Sequence, residues 1–263
     1  MKRFIFKIEL TVIIGIGLSI FIIKYAIGTE YIMQLFWNPP SIALVLGGVI
    51  AATTIHFPNT QFRQIFSRLI VALSFKSKHK LIEDIDNLVD IATTVQANGM
   101  ASIMPKIETC TDHFLKLGLT LLYDNVPTKE LEILLKDTIL YTKKRHLQGI
   151  SFFHTMAQYS PAFGLFGTVI GLIKLLSDLG DPELFGQSMA LAMVTTFYGL
   201  FFANFIFSPI AGRLQILSDE ENIQKEMLVL GILCISKKER PYLIKEKMQT
   251  FLSKKDRKIL WKK

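Results

Sequence analysis

Long apolar runs alternate with charged stretches along this chain, and the run lengths predict its elements. From Leu10 to Ile23 every residue is apolar or small, and the run reaches Gly28 if Lys24 snorkels. About 19 residues at 1.5 Å each cross a ~30 Å hydrocarbon core. Trp37, Pro39 and Pro40 then lead into a second run, Ser41 to Phe57. Trp suits the headgroup level, and the prolines suit a helix start. Two further runs lie between Tyr159 and Ile210, parted by the polar break Asp178–Gly186. No strand-like alternation stands out.

Between 59 and 158 the pattern is that of a soluble insert. Leu81, Ile85, Leu88, Val89 and Ala92 recur at helical spacing among Glu83, Asp84 and Asp86, which predicts an amphipathic helix. Asn98-Gly99 and Asp124–Pro127 are turn signals. Thr128 opens a long helical pattern with Leu131, Leu134, Leu135 and Thr138 on one face, running toward the membrane near Tyr159. After Pro209 a charged helix is expected from Arg213 to about Leu233, and a short one from Pro241. The fold expected is an all-α membrane protein with four transmembrane helices. Residues 1–58 hold the first two spans, 59–158 a helical cytoplasmic domain, 159–210 the central pair and 211–263 a cytoplasmic C-terminal tail.

Charge orients this layout. Of 263 residues, 50% are hydrophobic and 20% charged, and the net charge is +8. Arg63 to Arg145 carry 12 basic and 10 acidic residues, and Arg213 to Lys263 carry 13 and 7. Thr29–Pro40 and Asp178–Gly186 contain no Lys or Arg. The positive-inside bias puts both termini and the insert in the cytoplasm and accounts for the basic balance without nucleic acid. Met1–Lys7 could open a signal peptide, but Lys24 and Tyr25 stand where a cleavage site would be, so a retained helix is expected. Cys110 and Cys234 read as free thiols in a reducing compartment. No P-loop, catalytic triad or metal-ligand cluster is present, and the five histidines share no spacing. The expectation is a non-enzyme with no cofactor.

Chemistry concentrates in the central pair. Gly164, Gly167, Thr168 and Gly171 recur at three or four residues, and so do Ala192, Thr196, Gly199 and Ala203. Each set gives its helix one face that permits close backbone approach. Thr168 and Thr196 could bond a carbonyl one turn back, or could meet at one depth and line an ion path. Neither run contains Asp or Glu. A proton or sodium pathway needs a titratable carboxylate at mid-membrane, so a partner would have to supply it.

Ser160-Pro-Ala-Phe-Gly-x-x-Gly-Thr-Val-Ile-Gly-Leu, Asp181-Pro182, and Met189-Ala-x-Ala-x-x-Thr-Thr-x-Tyr-Gly-x-x-x-Ala-Asn204 with Pro209 resemble the MotA/PomA stator subunits of the bacterial flagellar motor, within the MotA/TolQ/ExbB superfamily. The resemblance implies a homopentamer in the bacterial inner membrane. It would surround a dimer of a single-span MotB/PomB-type partner that carries the ion-binding aspartate and a peptidoglycan-binding domain. Na+ or H+ passage would then drive the rotor protein FliG. Thr196 matches the threonine facing that aspartate, and Pro161 and Pro209 match the prolines bounding spans three and four. Thr168 matches the sodium-type stators and, beside Thr195 and Thr196, favours sodium over proton. The family's cytoplasmic Arg and Glu that meet the rotor fall on Gln96 and Met104, so Lys106 or Glu108 would make the contact, or the driven object is not a standard rotor. Two other readings stay open: an ExbB/TolQ-like energiser of the outer membrane, and a non-conducting scaffold packed through Gly167 and Gly171.

Overall fold

The computed structural model describes residues 10–27, 37–58, 80–177, 180 and 182–260. Among them no strand occurs. The expected loop Thr29–Pro40 is described only from Trp37, and the break Asp178–Gly186 without 178, 179 and 181. Residues 1–9, 59–79 and 261–263 lie outside the described set.

The helices are α1 (Leu10–Ile27), α2 (Pro39–His56), α3 (Lys80–Asn98), α4 (Met104–Thr109), α5 (His113–Tyr123), α6 (Thr128–Ser177), α7 (Pro182–Phe201), α8 (Ser208–Ser236), α9 (Pro241–Met248) and α10 (Lys254–Leu260). A π-helical segment, Phe202–Phe207, joins α7 to α8, and 3₁₀ turns lie at Met100–Ile103 and Gln249–Phe251. Pro39 and Pro40 occupy the first turn of α2, where no backbone donor is missed, and the Asn38 side chain caps it by accepting from the Ser41 N–H at 3.1 Å. Asp112 caps α5 by accepting from the Phe114 and Leu115 N–H groups. Gly99, at φ 80° and ψ 173°, takes a positive-φ conformation that favours glycine where α3 ends.

Three helical stretches among the described residues are long and apolar enough to cross a membrane: Pro39–His56, Thr128–Ser177 and Leu184–Ser236. α1 adds 18 residues of continuous helix whose only charged residue is Lys24.

The chain forms two compact units. The first comprises 1–75 and 146–216, the second 76–145 and 217–263, so α6 and α8 each contribute to both. In the first unit Val49, Ile150, Phe152, Phe153, Phe207, Ala211 and Leu214 make the core. In the second, α3, α5, the first part of α6 and the later part of α8 bury Ile85, Leu88, Leu119, Leu131, Leu135, Met227, Ile232 and Ile235 against one another. Ile85, Leu88 and Ala92 face inward as expected. The inward face of α6 differs from the expectation: Leu131, Leu135 and Ile139 are buried, four residues apart, whereas Leu134 is 47% exposed. α8 begins at Ser208 and passes through Arg213 without interruption. Inside this unit Gln224 donates to the buried Asp84 carboxylate at 2.5 Å, which satisfies a polar group that would otherwise be costly to bury.

Candidate ion pathway in the membrane-spanning pair

α6 and α7 pack antiparallel in the first unit, and glycine sets their separation. A Cβ on Gly171 would fall 2.7 Å from the Ala192 nitrogen, and one on Gly167 2.5 Å from the Thr195 side chain. One on Gly164 would lie 3.1 Å from the Thr195 carbonyl oxygen, and one on Gly199 2.6 Å from that of Ser160. The two small faces predicted from spacing therefore meet, in a register that pairs Gly171 with Ala192 and Gly164 with Gly199. Ala192, Gly199 and Ala203 are all buried.

The three threonines take different places. Thr195 is fully buried in the Gly167 contact. Thr168 and Thr196, one residue on from Gly167 and Thr195, are half-buried. Each hydroxyl donates to a carbonyl of its own helix: Thr168 to Leu165 at 2.6 Å, Thr195 to Leu191 at 2.9 Å and Ala192 at 3.0 Å, Thr196 to Ala192 at 3.4 Å. A hydroxyl with its hydrogen so used keeps its lone pairs, so Thr168 and Thr196 can accept from water or a protonated acid, or offer oxygen to a hard cation. They supply no charge. Thr138–Ser177 and Leu184–Ser218 contain no Asp or Glu, and no group of three or more His, Cys, Asp or Glu among the described residues could hold a metal ion.

The two prolines act differently. Pro161 sits inside α6 without ending it. Pro209 follows the π segment, in which the Ser208 N–H bonds the Ala203 carbonyl, five residues back. Pro209 has no N–H to give the Phe205 carbonyl and its ring crowds that carbonyl, so the wider turn relieves the clash. Asn204, within the segment, donates to the Leu200 carbonyl at 2.9 Å. Spacing missed the π segment, for which Pro209 is the one signal. It also missed the α2 contact, where a Cβ on Gly48 would collide with the Phe163 ring at 2.3 Å and His56 Nδ1 lies 3.2 Å from the Tyr159 hydroxyl.

In the second unit Gln96 and Met104 are both exposed. Lys106 forms an ion pair with Asp90. Glu108, one turn beyond Met104, is exposed.

Residues 106–227 match the family model described as the MotA/TolQ/ExbB proton channel family. Motility protein A from Borreliella burgdorferi is 31% identical over 92% of this chain and 93% of its own length. The chemotaxis protein PomA of Vibrio alginolyticus is 29% identical over 93% and 96%. Among solved structures, a chain of the flagellar MotAB stator complex from Bacillus subtilis superposes with a TM-score of 0.86 at 25% identity, covering 95% of this chain and 97% of that one.

Proposed function

The chain belongs to the MotA/TolQ/ExbB proton channel family, and we propose that it is the multi-span subunit of an ion-driven flagellar stator. The observation that carries this reading is the α6–α7 pair. Glycine-set packing leaves Thr168 and Thr196 half-buried with acceptor oxygens and no carboxylate of their own. In the proposed mechanism a single-span MotB/PomB-type partner brings an aspartate to these hydroxyls, as the pairing in the MotAB relative suggests. Ions load and leave that carboxylate, and copies of this chain, five in the homopentamer proposed, turn around the partner. The exposed face near Gln96, Met104 and Glu108 then carries torque to the rotor protein FliG. Glu108 offers the negative charge there, while Asp90 is paired with Lys106. Sodium is favoured over proton, because oxygen atoms at Thr168 and Thr196 suit a hard cation.

Swimming speed against external sodium at fixed pH tests both parts. Speed is expected to rise with sodium in the parent and to fall severalfold at every sodium level in Thr196→Val. Unchanged swimming in that variant sinks the ion-site role; a response flat in sodium reverses the choice of ion.

A further inference from the structure

The second unit holds a cavity of about 540 Å³ that the ion pathway does not use. The first turns of α5, one face of α6 and one face of α8 wall it. Its volume is that of a small-molecule site. We propose that it binds a small organic anion, a single carboxylate on an apolar, planar body.

Helical spacing brings the lining residues together. Thr138, Thr142 and Arg145 stand at i, i+4 and i+7 on α6, and Glu221, Lys225 and Leu228 stand likewise on α8. Their charges set the sign of the ligand. Asp112 is committed to α5, where its carboxylate accepts from the Phe114 and Leu115 N–H groups at 3.0 and 3.1 Å. Glu221 pairs with Lys225 at 2.9 Å. Arg145 is the cation left over. It is exposed, forms no ion pair among the described residues, and donates from Nη2 to the Thr142 hydroxyl at 3.1 Å. That hydroxyl gives its own hydrogen to the Thr138 carbonyl at 2.8 Å, so it meets Arg145 as an acceptor and orients the guanidinium. The remaining N–H groups of Arg145 are free to grip a carboxylate through two parallel bonds. The carboxylates of Asp112 and Glu221 repel a second negative charge, which favours a carboxylate over a phosphate.

The apolar wall selects the body. Phe114 and Leu228 are buried, and Leu117 is exposed on the same wall. The Lys225 ammonium lies 5.6 Å from the centre of the Phe114 ring, so this ion pair is itself seated on an aromatic surface. A flat apolar group can cover Leu117 and Leu228 while its carboxylate reaches Arg145. An acidic side chain of another protein brings the charge without a body to fill the volume. The site lies wholly within the second unit, and its occupancy does not depend on which ion the stator uses.

The probe is para-fluorobenzoate, titrated into the full chain purified with its partner in detergent, with the fluorine line width as readout. Saturable broadening is expected, with an affinity on the order of 1 mM. Benzoate should relieve it, and inorganic phosphate at equal concentration should not. In R145Q the affinity should fall by about tenfold or more, the loss that removal of a charge-assisted bond implies. L117W narrows the cavity without touching a charge and should weaken binding as well. Both side chains are exposed, so both variants should melt with the parent. Absence of saturable broadening overturns the proposal. So does broadening retained in R145Q or L117W, as uptake into detergent would give, or displacement by phosphate equal to that by benzoate.

Discussion

Gly171 and Gly212 both lie within helices, and the space beside each predicts opposite responses to alanine. At Gly171 the added methyl would meet the Ala192 backbone at 2.7 Å, and neither partner can rotate away. Overpacking of this kind costs about 1–3 kcal/mol, so Gly171→Ala is expected to lower the melting temperature of the purified complex. At Gly212 nothing lies within 4 Å, and replacing a helical glycine gains up to about 1 kcal/mol. Gly212→Ala should melt at or above the parent temperature; equal losses at both positions would show that space is not what decides. A second residue-scale test concerns the thiols. Burial, then the neighbouring Glu239, pushes Cys234 up to about 11. Because the folded value lies above the unfolded one, the protonated thiol stabilises the fold at neutral pH. That contribution is lost as pH rises from the ordinary thiol range toward 11. With thiolate scarce and access closed, iodoacetamide at pH 8 should label the half-buried Cys110 first. Mass spectrometry of the alkylated peptides reads the order, and faster labelling of Cys234 would contradict this placement.

The π segment between α7 and α8 is where element-scale behaviour is concentrated. In Pro209→Ala the new N–H can bond the Phe205 carbonyl and the ring clash is gone, so residues 202–209 should anneal to α-helix. Amide hydrogen exchange over this stretch should slow in the variant while swimming is lost, which separates a conformational role from simple unfolding. Exchange that speeds up would mean the proline holds the helix together. The same segment shows what sequence conveys and what it withholds. Period and spacing revealed the long helix from Thr128, the prolines that start α2, and the small faces of α6 and α7, because each depends on neighbours within two turns. Leu134 carried the same periodic signal as Leu135 yet faces out, since the direction of the core across α6 is set by helices distant in sequence. Gly48 against Phe163 and Asp84 against Gln224, the latter 140 residues apart, were illegible for that reason. The π turn was illegible because several backbone geometries can accommodate one missing N–H. The hydroxyls of Thr168 and Thr196 could be located from sequence, but which of the adjacent Thr195 and Thr196 is sealed into the helix contact could not.

For the whole molecule, the distribution of acids divides the labour. The acidic residues of the second unit all lie outside residues 159–210, and the 40 residues of Thr138–Ser177 hold none. Hydroxyls and carbonyls lower the cost of a cation in the membrane but cannot bind and release a proton across physiological pH, because no serine or threonine titrates there. On the function proposed above, the chain supplies packing and acceptor oxygens, and conduction waits for a carboxylate from another subunit. The purified chain alone, reconstituted in liposomes with a sodium or pH gradient, should show no flux above empty vesicles. Co-reconstitution with a single-span partner should restore flux, and replacing that partner's membrane aspartate by asparagine should abolish it. Flux through the chain alone, reported by a trapped sodium- or pH-sensitive dye, would place a complete pathway within α6 and α7 and remove the reason for assigning the acid to another subunit.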